Sequence, residues 1–225
     1  MENRQLNFTE FFPLQFYINL DKRQDRDILV QKEFKKINID PVRISGTVIK
    51  TTSNAMWNGI LGCLLSHTKC LETALEQKEN IFIFEDDILF TQDNQTQLIL
   101  DQCCKELSVI DWDMFYVAAN ILKPIYQISK HLGKLTHAQS TVGYGVNKDF
   151  VKKLLSYIPR HKIIPIDLVY SNNVVPKHNC FISIPMLGVQ RDSFSDIEGR
   201  SVQYESYLQK RYDANLIYST NGEDK

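Results

Sequence analysis

The chain is poor in the residues that interrupt regular structure, with 9 glycines and 7 prolines among 225 residues, which excludes a collagenous or low-complexity protein. No apolar stretch approaches the roughly 18 residues that a membrane-crossing helix needs. The polar start Met1-Glu2-Asn3-Arg4-Gln5 lacks the apolar run of a secretory signal. Neither sign of charge dominates: 26 Lys and Arg face 27 Asp and Glu, so nothing draws the chain as a whole to nucleic acid. The 5 cysteines contain no C-x-x-C spacing and read as buried, reduced thiols, which suits a cytosolic setting.

What remains is the composition of a globular protein, 43% hydrophobic and 24% charged. No repeat or Gly/Ser/Pro linker divides it, so a single domain over residues 1–225 is expected, with a frayed tail from about Asn221. Gln15 to Leu20 reads as a strand. The following segment from Asp21 to Ile37 carries Ile28, Leu29, Phe34 and Ile37 at near-helical spacing and reads as a helix. Val42-Arg43-Ile44 is a second strand, Ser45 to Asn58 a polar loop, and Leu61 to Gln77 an amphipathic helix with Leu61, Leu64, Leu65, Leu71 and Leu75 inward. Ile81-Phe82-Ile83-Phe84 is a continuous apolar run, the pattern of a strand covered on both faces. A helix carrying Leu100, Cys103, Cys104 and Leu107 and a strand over Met114–Val117 follow. Leu132 to Val146 reads as short strands interrupted at Gly143-Tyr144-Gly145, before a helix carrying Phe150, Val151, Leu154 and Leu155. This alternation predicts an α/β fold with an open, mostly parallel, Rossmann-like sheet.

The buried strand ends in Glu85-Asp86-Asp87. In open α/β sheets ligands collect at the carboxyl ends of strands. Two like charges 4 Å apart repel by roughly 4 kcal/mol at an effective dielectric of about 20, and a cation relieves that repulsion. Side chains alternate along a strand, so Glu85 and Asp87 are expected to share one side and face Mn²⁺ or Mg²⁺, with Asp86 on the other unless the chain bends. Ser66-His67 does not read as a nucleophile and base, because adjacent helical residues do not face each other; His67 reads as a packing residue.

Gly62-Cys63-Leu64-Leu65-Ser66-His67 followed by Ile81 to Asp87 resembles glycosyltransferase family 25, which includes lipooligosaccharide and collagen galactosyltransferases. The resemblance runs from Phe16 to Ile197. It takes in Phe16 to Arg23 with Arg26, Gly143-Tyr144-Gly145-Val146, Pro165-Ile166-Asp167, and Gln190 through Ser195-Asp196-Ile197. It implies a GT-A fold and a metal-dependent, inverting transfer of a hexose from a nucleotide-sugar, usually a UDP-hexose such as UDP-galactose or UDP-glucose, to a glycan or protein hydroxyl, as in lipopolysaccharide biosynthesis. By the same resemblance Asp87 would hold the metal, Asp86 would contact ribose or metal, and Asn19, Asp21 and Arg23 would line the nucleotide site. An inverting displacement also needs a base near the acceptor hydroxyl. Asp167 is the first candidate, although a helix N-terminus would lower its pKa, and Asp196 is the second, with a metal or donor role as its alternative. A compact bacterial or large-virus enzyme of the cytosol fits best. The rival readings are a metal-dependent phosphohydrolase and a non-catalytic nucleotide-sugar-binding module.

Overall fold

The computed structural model describes residues 6–217; the tail from Asn221 lies outside them. A short helix, α1 (Phe8–Phe11), is closed by a reciprocal cap between Asn7 and Glu10. Strand β1 (Leu14–Asn19), helix α2 (Gln24–Lys36) and strand β2 (Val42–Ser45) form the first crossover unit. Helix α3 (Ala55–Gln77) leads into β3 (Ile81–Glu85), and a two-residue turn into β4 (Ile88–Phe90). Helix α4 (Thr96–Leu107), β5 (Met114–Ile121), β6 (Ile125–Gln127), β7 (Leu132–Lys134) and β8 (Ala138–Val146) follow. The remainder comprises α5 (Val151–Tyr157), α6 (Ile166–Asn173), β9 (Cys180–Ser183), β10 (Gly188–Gln190), β11 (Ser193–Ser195), β12 (Arg200–Val202), α7 (Glu205–Asn215) and β13 (Leu216–Ile217).

Nine strands make one sheet in the order β13-β6-β7-β9-β5-β8-β3-β1-β2. The α/β class is as expected, but the sheet is mixed. β2, β1 and β3 run parallel, whereas β8 lies antiparallel between β3 and β5. Alternation along β3 shows why its run is wholly apolar. Ile81 and Ile83 join a core with α3, α5, α6 and α7 on one face, while Phe82 and Phe84 join another with α1, α2 and α4. At ~25 cal/mol per Å² of apolar area, each such side chain contributes roughly 1.5–3 kcal/mol.

Several sequence expectations shift. Helix α3 begins at Ala55, six residues before Leu61, because the Asn54 side chain accepts from the Trp57 amide and starts the helix there. It buries Leu64, Cys70, Leu71 and Ala74, leaving Leu65 and Leu75 exposed. Helix α2 buries Val30, Glu33 and Phe34 and turns Ile28 and Leu29 outward, because Glu33 is held by Lys36 and Arg191 and occupies a core-facing position. Gly143-Tyr144-Gly145 does not interrupt β8, which runs unbroken over nine residues. These glycines leave room for neighbours: a Cβ on Gly145 would lie 2.5 Å from the Phe12 ring. All five cysteines are free, and only Cys63 is not fully buried. Among the described residues no helix is long and apolar enough to cross a membrane.

Phe12 is wedged among Phe8, Phe82 and Trp112 and cannot yield. Gly145→Ala is therefore expected to lower stability by about 1–3 kcal/mol, the usual range for overpacking. Urea unfolding should show a reduced midpoint at unchanged slope, with Phe12→Leu recovering part of the loss in the double variant.

Candidate functional site

The parallel pairing of β1 and β3 brings their carboxyl ends to one edge, with Ile18 opposite Glu85. Beyond Glu85 the chain turns at Asp86 and Asp87 and re-enters as β4, which pairs antiparallel with β10. This bend undoes the simple alternation. Asp86 and Asp87 share one cation, Arg26 from the first turn of α2, whose Nη1 lies 2.7 Å from Asp86 Oδ1 and 3.1 Å from Asp87 Oδ2. Its Nη2 donates to Ser193 Oγ at 2.7 Å and to the Phe194 carbonyl at 3.1 Å, tying the acidic turn to β11. Asn19 Nδ2 donates to Asp86 Oδ2 at 2.7 Å, and Gln190 Nε2 to Asp87 Oδ2 at 3.1 Å. The second oxygen of Asp87, Oδ1, is buried and has no partner.

Glu85 turns instead toward α3 and β8. Thr141 Oγ1 and His67 Nε2 both donate to its Oε1, the latter at 3.3 Å. The other ring nitrogen of His67 meets the Tyr144 hydroxyl at 2.9 Å, and Tyr144 meets Tyr170 at 3.3 Å. His67 is thus a positioning group for Glu85 as well as a packing residue.

Two cavities flank this carboxylate. One, about 410 Å³, is lined by all three acids, Lys22, Arg26, residues 46–50 and Asp196. The other, about 400 Å³, is lined by Glu85, Asn120, residues 139–142, Asp167, Tyr204 and Tyr207. Cys63, Glu85, Gln190, Ser195 and Ile197 border both.

The sequence profile of Glycosyltransferase family 25 (LPS biosynthesis protein) matches residues 12–170, well over half of the chain. This chain belongs to glycosyltransferase family 25. Mouse procollagen galactosyltransferase 2 is 22% identical over 194 residues, covering 72% of this chain and 31% of the mouse protein. A glycosyltransferase 25 family member from Drosophila pseudoobscura pseudoobscura is 29% identical over 181 residues, 68% of this chain and 28% of the fly protein. The chain therefore spans about a third or less of the length of these relatives. A crystal structure of a glycosyltransferase involved in glycosylation of the major capsid of PBCV-1 aligns with 75% of this chain and 80% of its own, at 11% identity and a TM-score of 0.40.

Within this family 25 chain the anticipated residues do not all converge. Glu85, Asp86, Asp87 and Asp196 line the cavity that also holds Lys22 and Arg26, and Asp167 lines the other beside Glu85. Asn19 sits behind Asp86 as a hydrogen-bond donor rather than on the cavity wall. Asp21 is exposed and turned to Arg43 and Ser45, outside both cavities. Arg23 binds Asp25, Asp196 and the Phe194 carbonyl, so it holds the late segment and does not line the cavity. Asp196 pairs with Lys22 and Arg23, which outweigh its partial burial and hold its pKa below the ordinary value. Glu85 groups with Cys63 and His67, while Asp87 is held by Arg26 and Gln190. Arg26 and Gln190 complete the acidic turn. Both lie in segments that carry the family resemblance, but the sequence did not show that they pair with Asp86 and Asp87.

The electrostatics separate the carboxylates. Burial, then the charge of Glu85, pushes Asp87 up to about 7 against the pull of Arg26. Burial also raises Asp86, opposed by Arg26 and Asn19. Burial would raise Glu85 too, but hydrogen bonds from His67 and Thr141 hold it below its ordinary value. Asp167 stands in the first turn of α6, yet burial outweighs its bond from the Leu168 amide and its pKa rises.

For Asp87 the sign of the linkage is set by a folded value of about 7 against an ordinary 3.8. Folding takes up a proton between these values, and stability from this group falls as pH rises through them. In metal-free buffer Asp87→Asn, with Arg26 still paired to Asp86, should melt above wild type at pH 8, the gap closing as pH falls toward about 4. Equal melting temperatures at pH 8 would show that ionised Asp87 is not penalised.

Proposed function

We propose that this chain is a metal-dependent, inverting glycosyltransferase of GT-A type that moves a hexose from a UDP-sugar, UDP-galactose or UDP-glucose, to a glycan or protein hydroxyl. The observation that carries the reading is the buried, unpartnered Oδ1 of Asp87, a residue that lines one cavity, with Asp167 in the adjoining cavity across Glu85. A buried carboxylate oxygen without a donor suits a hard dication such as Mn²⁺ or Mg²⁺. Asp87 would hold it, with Asp86 alongside. When bound, the metal would neutralise charge developing on the departing diphosphate.

The remaining steps fall to the chain's own groups. Lys22 and Arg26 bring positive charge to the cavity that takes the nucleotide diphosphate. The acceptor occupies the other cavity, where Asn120 Oδ1 is buried without a partner and can accept from a sugar hydroxyl, and Tyr204 and Tyr207 offer ring faces. Asp167 takes the proton from the attacking hydroxyl, and its raised pKa favours that role over Asp196. Placing donor and acceptor on opposite sides of Glu85 brings the hydroxyl to the face away from the leaving diphosphate, which yields inversion.

The decisive experiment screens nucleotide-sugars for Mn²⁺-dependent thermal stabilisation and for transfer to glycan and peptide acceptors. A UDP-hexose at about 100 times its dissociation constant should stabilise wild type by about 2.7 kcal/mol. Asp87→Asn should lose that Mn²⁺-dependent gain. Asp167→Asn should keep donor affinity and lose roughly 10²–10⁴ in turnover. Release of inorganic phosphate independent of any acceptor would instead indicate a phosphohydrolase, and binding without turnover a sugar-binding module.

A further inference from the structure

Cys63 and His67 stand four residues apart on one face of α3, and β3 ends by placing Glu85 against them. One ligand atom from each lies within 4.8 Å of the other two, the one such group of possible metal ligands among the described residues. His67 Nε2 and Glu85 Oε1 are 3.3 Å apart. A tetrahedral zinc ion with bonds of about 2.0–2.3 Å keeps its ligand atoms roughly 3.3–3.8 Å apart, so the pair is already at that spacing and a movement of the Cys63 side chain, within 4.8 Å of both, closes the other two edges. The nitrogen of His67 that does not face Glu85 is anchored on the Tyr144 hydroxyl at 2.9 Å, the outer support that metal-bound histidines have. Cys63 and Glu85 both border the two cavities, so a fourth position would open where the cavities meet.

We propose that Cys63, His67 and Glu85 form a zinc site, separate from the acidic turn, that takes Zn²⁺ in preference to Mn²⁺ or Mg²⁺. Thiolate, imidazole and carboxylate together select a borderline ion, whereas the hard dications favour oxygen donors. Binding releases the Cys63 thiol proton to solvent. In the zinc-bound state His67 carries its single N–H on the nitrogen facing Tyr144, whose oxygen accepts it while its own hydrogen turns to Tyr170. A filled site removes Glu85 from Thr141 and plugs the junction between the cavities. Inhibition of transfer by zinc then follows, and that consequence alone rests on the transferase reading.

The test uses the metal-free chain of residues 1–225 and no nucleotide-sugar, so its failure leaves the transferase reading untouched. Zn²⁺ is titrated against a chromophoric chelator, and Co²⁺ serves as a spectroscopic stand-in. Wild type should bind one Zn²⁺ per chain, and its Co²⁺ form should show a thiolate-to-metal absorption band. Cys63→Ser should abolish the band and weaken Zn²⁺ by more than the roughly 10–100-fold that loss of an outer partner costs. Tyr144→Phe should fall within that range, and Asp87→Asn should bind zinc as wild type does. Circular dichroism confirms folding of each variant; should His67→Gln not fold, Cys63→Ser decides. Absence of stoichiometric zinc, or equal affinity in Cys63→Ser, would overturn the proposal. So would loss of zinc in Asp87→Asn alone, which would place the ion at the acidic turn.

Discussion

Withdrawing neighbouring carboxylates from water at the end of a covered strand is tolerable only with a counter-charge, and Arg26 is that charge. Its guanidinium is largely buried, touches both aspartates, and carries a pKa that Asp87 and Asp86 raise despite the opposing effect of burial. Removing one member of a buried ion pair typically costs 3–5 kcal/mol, because the survivor is left uncompensated. Since the same guanidinium grips Ser193 and the Phe194 carbonyl, one side chain sets both the shape of the acidic turn and the position of the segment that roofs it. Arg23 reinforces this link through Asp196 and the same carbonyl. The bridge leaves one oxygen of Asp87, Oδ1, buried without a partner.

The parts of the fold legible from sequence are those where one period dominates. Ile81–Phe84 could be read as a two-sided strand because every residue is apolar, and the Leu100-Cys103-Cys104-Leu107 pattern marks α4 correctly. Helix α2 misleads because Glu33, buried against Lys36 and Arg191, looks polar in a pattern and displaces Ile28 and Leu29 from the inferred inner face. The glycines of β8 lower strand propensity locally, yet tertiary neighbours need the space that they leave. Strand direction has no periodic signature, so the reversal of β8 was not readable. It matters, because an antiparallel strand delivers its early residues, Gln139 to Val142, to the edge where β3 delivers its last.

The site follows the same division. The acid triplet is contiguous and was visible, whereas the side chains that hold Asp86 and Asp87 come from Asn19, Arg26 and Gln190, far apart in the chain, with Ser193 holding Arg26 in turn. Adjacent Ser66 and His67 point apart, as helical geometry requires; Ser66 bonds to Gly62 and Thr47 while His67 reaches Glu85. The pair that shares a face is Cys63 and His67. Past Pro165 the periodic signal loosens, and that is where Tyr204, Tyr207 and Asp196 join the cavity walls, beyond the segment that matches the family.

The bond between Arg26 and Ser193 also orders events during synthesis. Domains fold from the N-terminus as the chain emerges, at about 5–20 residues per second. The acidic turn and its arginine leave the ribosome long before Gln190, Arg191 and Ser193 are made, so the turn is held only from one side until that segment arrives. A nascent or prematurely ended chain stopping near residue 170 would contain the whole family-matching segment and still lack the strand that closes its most charged corner.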